Sequence, residues 1–489
     1  MQFTSVTFLL FAAVLLIVYY RVPGRFQWCV LLAGSYVFFL KAGWNQLFFL
    51  LFTTLTTYAS TLLMTRVREK APTKAAAKQR SRIVMAVCLV LNFTLLALCK
   101  VSILCASLPF GISFYMFQSM GYVVDVHRGS VKAERNPLRL ALFVTYFPQL
   151  VQGPISKFSK LAPQLCEAHP YDGKQLSFGL QRMLWGYFKK LVIADRIAPA
   201  VAALKGAEYT GTAFFVMTIF YAVQIYADFT GGIDIALGLS QALGITLPEN
   251  FIRPFFSKNI AEYWRRWHIT LGVWMKDYIF YPISVSQPIR KLSKAARKRF
   301  GSFGKRLPVY IASAATWFVT GIWHGLTPNF ILWGMLNCFV IVVSEELTPL
   351  YQKFHNRFHL KEKKWYPAFE MLRMFLLMNL IRICDLFSAG EYFHRMGTLF
   401  TNWHISVLWD GTLLSLGLTG LDYLLLLLGI AVMFTVSLVQ EKRGSVRELL
   451  WQKNQWLRYG LIFLLLLVTL LMGSYGIGYD ASSFIYNRF

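Results

Sequence analysis

Two histidines stand in surroundings that suit chemistry better than solvation. His324 closes the run Thr316-Trp317-Phe318-Val319-Thr320-Gly321-Ile322-Trp323-His324-Gly325, with Thr327 and Pro328 just beyond. Basic stretches lie on both sides, ending at Arg306 and resuming at Lys353, so the chain between them must leave one membrane face and return to it. A helix from Pro308 to Trp323 climbs ~24 Å at ~1.5 Å per residue, less than the hydrocarbon thickness, and Gly325 and Pro328 can then turn the chain. His324 is therefore expected within the bilayer, where an ionisable group must face a bundle interior or a wet cavity. A neutral imidazole there can act as a general base. The alternative is a buried histidine that only hydrogen-bonds a neighbour.

His268 lies in Glu262-Tyr263-Trp264-Arg265-Arg266-Trp267-His268-Ile269-Thr270-Leu271, followed by Trp274, Lys276, Asp277 and Tyr278. At helical spacing Trp264, Trp267, His268 and Leu271 share a face, while Arg265, Arg266 and Lys276 supply cations suited to a phosphate-bearing or carboxylate ligand. An interfacial helix, aromatic on one side and basic on the other, would look the same. A third candidate segment runs from Gln224 to Asp234, where Asp228 and Asp234 interrupt an apolar stretch. Carboxylates there can pair with an Arg, cap a broken helix or orient a histidine, and structural pairing is the commoner use. No G-x-S-x-G elbow, phosphate-binding loop, H-E-x-x-H helix or metal-ligand spacing is present, so hydrolase, ATPase and metalloprotease chemistry has no motif behind it, and no metal is expected.

The elements that must position these residues are read from composition. Of 489 residues, 56% are hydrophobic and only 15% charged, against about 25% charged in soluble domains, which indicates an all-α, polytopic membrane protein. The net charge of +27 would suggest nucleic acid in a soluble chain, but the cations gather in short stretches between apolar runs (Arg66 to Arg82, Arg290 to Arg306, Lys353 to Lys364, Lys442 to Lys453), the positive-inside pattern. The seven cysteines are scattered through apolar runs without paired spacing and read as buried hydrophobes. Spans are expected near Phe3 to Tyr20 (retained rather than cleaved), Phe26 to Leu40, Leu47 to Met64, Ile83 to Leu104, Met371 to Cys384, Tyr423 to Val439 and Tyr459 to Met472. Between Pro109 and Pro282 the apolar segments are broken by Gly, Pro, Gln, Asp, His and Arg. Polar or broken backbone at membrane depth must be buried in protein or line a cavity, so this stretch is expected to build a central chamber with re-entrant or broken helices. No internal repeat is visible, and residues 1–489 are taken as one helical unit.

In this region the sequence resembles the membrane-bound O-acyltransferase family, in its bacterial branch of alginate O-acetylases and teichoic-acid D-alanyl transfer proteins. The matches fall in family order: Gly111-Ile112-Ser113-Phe114-Tyr115, Asp125-Val126-His127-Arg128-Gly129, Tyr146-Phe147-Pro148-Gln149-Leu150 with Gly153-Pro154-Ile155, the Gln224 to Asp234 segment, Asn250-Phe251, the Tyr263 to Pro282 block, and Trp323-His324-Gly325. They cover a core of residues 109–334. The resemblance implies that His324 matches the family's catalytic histidine and His268 the branch's second functional histidine. It implies acetyl transfer from a cytoplasmic thioester, acetyl-CoA by preference, towards a cell-surface polysaccharide, with Arg265, Arg266, Trp267, Trp323, Asp228, Asp234 and Gln149 about the donor or acceptor. It further implies a bacterial inner-membrane location and an extracytoplasmic acyltransferase partner. Transfer of D-alanyl or another acyl group is the nearest alternative. A transporter of lipid-linked sugars or an inactive scaffold is the alternative from another class, and the former lacks the repeats it would need. The sequence departs from the family at Gly232, where a bulky residue is common, and at Arg382-Ile383-Cys384-Asp385-Leu386-Phe387, which replaces an aromatic-rich Phe-Phe-Arg segment.

The tail, residues 480–489, ends Phe484-Ile485-Tyr486-Asn487-Arg488-Phe489. It is similar to the F-x-Y-x-x-F terminus of the small membrane peptide that partners the D-alanyl proteins, which implies that Tyr486 carries the acyl group; with Lys442 to Lys453 cytoplasmic and one span following, the tail is expected to emerge outside, where Tyr486 can reach back into the chamber. An interfacial aromatic anchor would use the same residues.

Overall fold

Hydrocarbon offers no partner to backbone N–H and C=O groups, so apolar runs of this length fold as helices. In the computed structural model, which describes residues 1–475 apart from 42, 106, 107 and 151, 79% of the chain is helical and no strand is present among the described residues. Among the described residues, six helices are long and apolar enough to cross a membrane: Gln46–Glu69, Lys74–Lys100, Thr212–Ala242, Pro328–Glu346, Gly420–Arg443 and Gln455–Met472. The first two apolar runs form shorter helices, Val6–Arg21 and Gln27–Leu40. Ser5 caps the first through the Phe8 N–H, and Pro23 with Gly24 separates the two.

The chain divides into two compact units, Met1–Arg196 with Tyr226–Pro248 and the chain from Leu425, and Ile197–Ile225 with Glu249–Leu424. In the first unit, helix α1 (Gly173–Tyr187) packs backbone to backbone on the second half of α2 (Thr212–Ala242). A methyl group added at Gly179 would stand 2.5 Å from the Gly238 carbonyl oxygen, and one at Gly186 would stand 2.6 Å from that of Gly231. Small residues permit this approach, and the two levels fix the register.

Of the uses open to Asp228 and Asp234, capping a broken helix is not the one found: α2 runs unbroken through both aspartates, and they are paired. Their charge is absorbed by cations on the chain that follows α1, where a π-helical stretch, Phe188–Ala194, carries two consecutive buried lysines. Lys190 Nζ contacts Asp228 Oδ1 and Asp195 Oδ1, each at 2.7 Å. Asp234 is held by Lys189 at 2.6 Å and Arg182 at 2.8 Å. Buried pairs of this kind offset a large desolvation cost and leave no need for a helix break.

In the second unit, α3 (Ile260–Arg266) and α4 (Ile269–Met275) flank His268, and α5 (Ser302–His324) and α6 (Pro328–Glu346) form a hairpin. Helix α7 (Tyr366–Arg382) leads into a 3-10 turn, Ile383–Leu386. At the base of the hairpin Arg306 pairs with Glu346 at 2.6 Å. Near its apex the two backbones touch: a methyl group on Gly334 would lie 2.4 Å from the Trp317 carbonyl oxygen, and one on Gly321 would lie 2.6 Å from that of Phe330. These contacts hold α5 and α6 together over about the last two turns before His324.

Candidate active site

His324 is the last residue of α5, and Gly325 N–H bonds back to the Gly321 carbonyl at 3.0 Å, so the helix terminates at the imidazole. Pro328 opens α6 at a position where its missing N–H costs nothing. The hairpin expected from Pro308, Gly325 and Pro328 is present, although α5 begins earlier and carries Pro308 within its first two turns. The His324 side chain is enclosed by aromatic rings, with Trp333 at 4.8 Å and Trp323 at 4.9 Å between centroids, both close to perpendicular.

His268 is not on a helical face. Helix α3 stops at Arg266, Trp267 is extended, and His268 adopts left-handed backbone angles, φ 47° and ψ 49°. The expected single face of Trp264, Trp267, His268 and Leu271 is therefore broken between Trp267 and His268. The cause is a partner segment earlier in the chain: Trp267 bridges antiparallel to Phe251, Ile252 N–H donates to the Arg266 carbonyl at 2.9 Å, and Ile269 N–H donates to the Asn250 carbonyl at 3.0 Å. Asn250 Oδ1 also accepts from the Thr270 N–H and hydroxyl, at 3.0 and 2.9 Å. Histidine is one of the residues that tolerate this conformation best, which makes the turn affordable here.

The turn aims His268 at the hairpin. Its ring meets Trp323 edge-on at 5.8 Å, and Trp323 meets His324 on its other side. Both imidazoles therefore share one indole, and their separation is well inside two helix diameters, ~20 Å. His268 is 3% exposed and His324 8%. Outside the spanning helices, in its turn, His268 is held well below the usual imidazole value, first by burial and second by the cation of Arg382. It is neutral at physiological pH, the form in which one ring nitrogen is a donor and the other an acceptor.

The surrounding residues divide by unit. Trp267 and Trp323 are buried beside the histidines. Arg265 is exposed, and Arg266 pairs with Glu262 at 2.7 Å on the same helix. Gln149, Asp228 and Asp234 belong to the first unit. There Gln149 donates to Gln118 Oε1 at 2.7 Å, and the two aspartates hold the lysine and arginine contacts already described. Tyr486 and the rest of the tail lie outside the described residues. Among the described residues no group of three His, Cys, Asp or Glu side chains is arranged to hold a metal.

Two residues at the site were given no role from the sequence, although Arg382 opens the segment that departs from the family. Arg382, 2% exposed, places its guanidinium 4.1 Å over the Trp267 ring and donates to Tyr263 Oη at 3.3 Å. A desolvated cation–π contact of this kind is worth about 2 kcal/mol. Asn329, in the first turn of α6, donates to the carbonyls of Cys384 and Asp385, both at 3.3 Å. A cation at the end of an apolar helix was the available signal for Arg382, and Asn329 carried none.

A comparison with family models matches residues 33–297 and 298–387 to the membrane-bound O-acyltransferase family. The chain belongs to this family. The membrane-bound O-acyltransferase match takes in both histidines and the turn that follows α7. Among curated relatives, the chain is 33% identical to a probable alginate O-acetylase of Azotobacter vinelandii, over 68% of this chain and 66% of that protein. It is 30% identical to a peptidoglycan O-acetyltransferase of Helicobacter pylori, over 62% and 64%, and 26% identical to a teichoic acid D-alanyltransferase of Bacillus subtilis, over 53% and 62%. The chain thus spans about two thirds or less of the length of these relatives. This member of the membrane-bound O-acyltransferase family is a multi-pass membrane protein.

Proposed function

We propose that this protein is an O-acetyltransferase of the bacterial inner membrane that takes acetyl from a cytoplasmic thioester, acetyl-CoA, and delivers it for O-acetylation of a cell-surface polysaccharide. The observation that carries the proposal is the pair of buried imidazoles, His268 and His324, sharing Trp323 in a chain of this family. His324 is the general base: a ring nitrogen takes the acceptor hydroxyl proton as the oxygen attacks the thioester carbonyl, and the imidazolium returns the proton to the leaving thiolate. His268, neutral and fixed by its turn, accepts or donates one hydrogen bond that orients donor or acceptor. The acetylase names of the two more similar relatives favour acetyl over D-alanyl. In this proposal the tail is extracytoplasmic, Tyr486 relays the acetyl group, and a separate extracytoplasmic acyltransferase completes the transfer.

The test is release of free CoA and transfer of label when purified protein in detergent or nanodiscs is given radiolabelled acetyl-CoA with an acceptor, with a D-alanyl thioester in parallel. Transfer from acetyl-CoA supports the proposal. Transfer from the D-alanyl thioester alone replaces the acyl group, and transfer from neither removes the enzyme.

A further inference from the structure

The two histidines reach their places on separate elements, yet both elements are fastened to one short segment. Arg382, the last residue of α7, grips the His268 turn through Trp267 and Tyr263. Asn329 ties the hairpin that carries His324 to the carbonyls of Cys384 and Asp385, two and three residues further on, and Cys384 Sγ lies 3.4 Å from the Asn329 carbonyl oxygen. We propose that Arg382 is a positioning residue for the histidine pair, holding Trp267 against Tyr263 so that His268 keeps a fixed placement relative to His324.

The geometry of the grip supports this. The Tyr263 and Trp267 rings are stacked, 5.7 Å apart at an interplanar angle of 10°, and Trp267 N–H donates to the Tyr263 carbonyl at 2.8 Å. The guanidinium lies over the indole and reaches the phenol with one N–H, so it touches both rings of the stack. A planar, delocalised cation does this and an ammonium does not. Trp267 is the residue immediately before the left-handed His268, so a tilt of the indole is passed directly to the imidazole. Second to burial, the Arg382 charge also disfavours protonation of His268.

The proposal rests on the acyltransfer reading for its kinetic arm and is independent of it for the other. Arg382→Met keeps the length and apolar stem of the side chain and removes the cation; Arg382→Lys keeps the charge and removes the planar fork. The first measurement is carbethoxylation of His268 by diethyl pyrocarbonate, read by peptide mass spectrometry on the full-length protein, with thermal melting alongside. His268 should be protected in the parent, reactive in Arg382→Met and intermediate in Arg382→Lys, while the melting midpoint of Arg382→Lys stays close to that of the parent. The second is acetyl transfer, where kcat should fall ~10- to 100-fold in Arg382→Met with KM for the thioester within ~2-fold, and Arg382→Lys should recover part of the loss. Continued protection of His268 in Arg382→Met, or an equal gain of reactivity at every buried histidine, overturns the proposal. If the parent itself transfers no acetyl group, the enzymatic reading falls and the modification pattern still decides the role of Arg382.

Discussion

Trp323 stands edge-on to His268 at 5.8 Å and is the immediate chain neighbour of His324, so one indole separates and spaces the two imidazoles. Replacing it by Ala opens a void between them, with a cost of about 3–5 kcal/mol from lost packing. Trp323→Phe keeps a ring in the gap. We expect Trp323→Ala to lower both the melting midpoint and acetyl transfer, and Trp323→Phe to retain most of the stability with an intermediate rate. Equal rates in the two variants would show that the spacing is immaterial.

His324→Ala should reduce acetyl transfer by ~10²- to 10⁴-fold, because the proposed base has no substitute of matching proton affinity. His324→Gln, which restores a polar group of similar size, should be nearly as slow. Both are checked with labelled acetyl-CoA on protein shown to be monodisperse and to melt like the parent.

Lys190→Met leaves Asp228 and Asp195 without the ammonium that bridges them at 2.7 Å. Breaking a buried ion pair by removing one partner costs about 3–5 kcal/mol. The melting midpoint should drop sharply, and Asp228→Asn added to Lys190→Met should recover part of the loss. A double variant no better than the single one would show that the pair is not coupled.

Gly334→Val places a branched side chain where even a methyl group meets the Trp317 carbonyl oxygen at 2.4 Å. Overpacking here should cost ~1–3 kcal/mol or more and push α6 away from α5. Gly390, where an added methyl group meets nothing within 4 Å, is the control position, and Gly390→Ala should melt like the parent.

Tyr486→Phe keeps an aromatic anchor and removes only the phenolic oxygen. If Tyr486 relays acetyl as an aryl ester, a better acyl donor than an alkyl ester, the variant should lose polysaccharide acetylation. It should keep the first transfer from acetyl-CoA to an added small acceptor. Parent-level acetylation of the polymer would make the tyrosine an anchor.

The hairpin apex at His324 was legible because its signals are local: basic flanks, an apolar run too short to cross, and Gly325 and Pro328 to turn the chain. The turn at His268 was not. Its left-handed backbone depends on Phe251 and Asn250, and a helical wheel drawn through Trp264 and His268 has no knowledge of a partner elsewhere. Asp228 and Asp234 were recognisable as carboxylates in need of cations, and pairing was the favoured use. The partners themselves, Lys189, Lys190 and Arg182, escaped because they sit about forty to fifty residues away and a π-helical stretch turns both lysines inward. The first two apolar runs were visible as helices, while their short length came from Pro23 and Gly24.

The α5–α6 hairpin has a consequence for biosynthesis. Its defining contacts, Gly321 with Phe330, Gly334 with Trp317 and Arg306 with Glu346, all join residues within about forty positions of one another. Such contacts have little loop entropy to overcome and form early. The hairpin bearing His324 can thus assemble as it enters the bilayer, before the part of its unit that follows it has been translated. The turn bearing His268 must wait for Arg382, 115 residues downstream of Trp267, to emerge and dock. Of the two histidines, the one synthesised first is therefore the one set in place last, and the paired site exists only after α7 has been made.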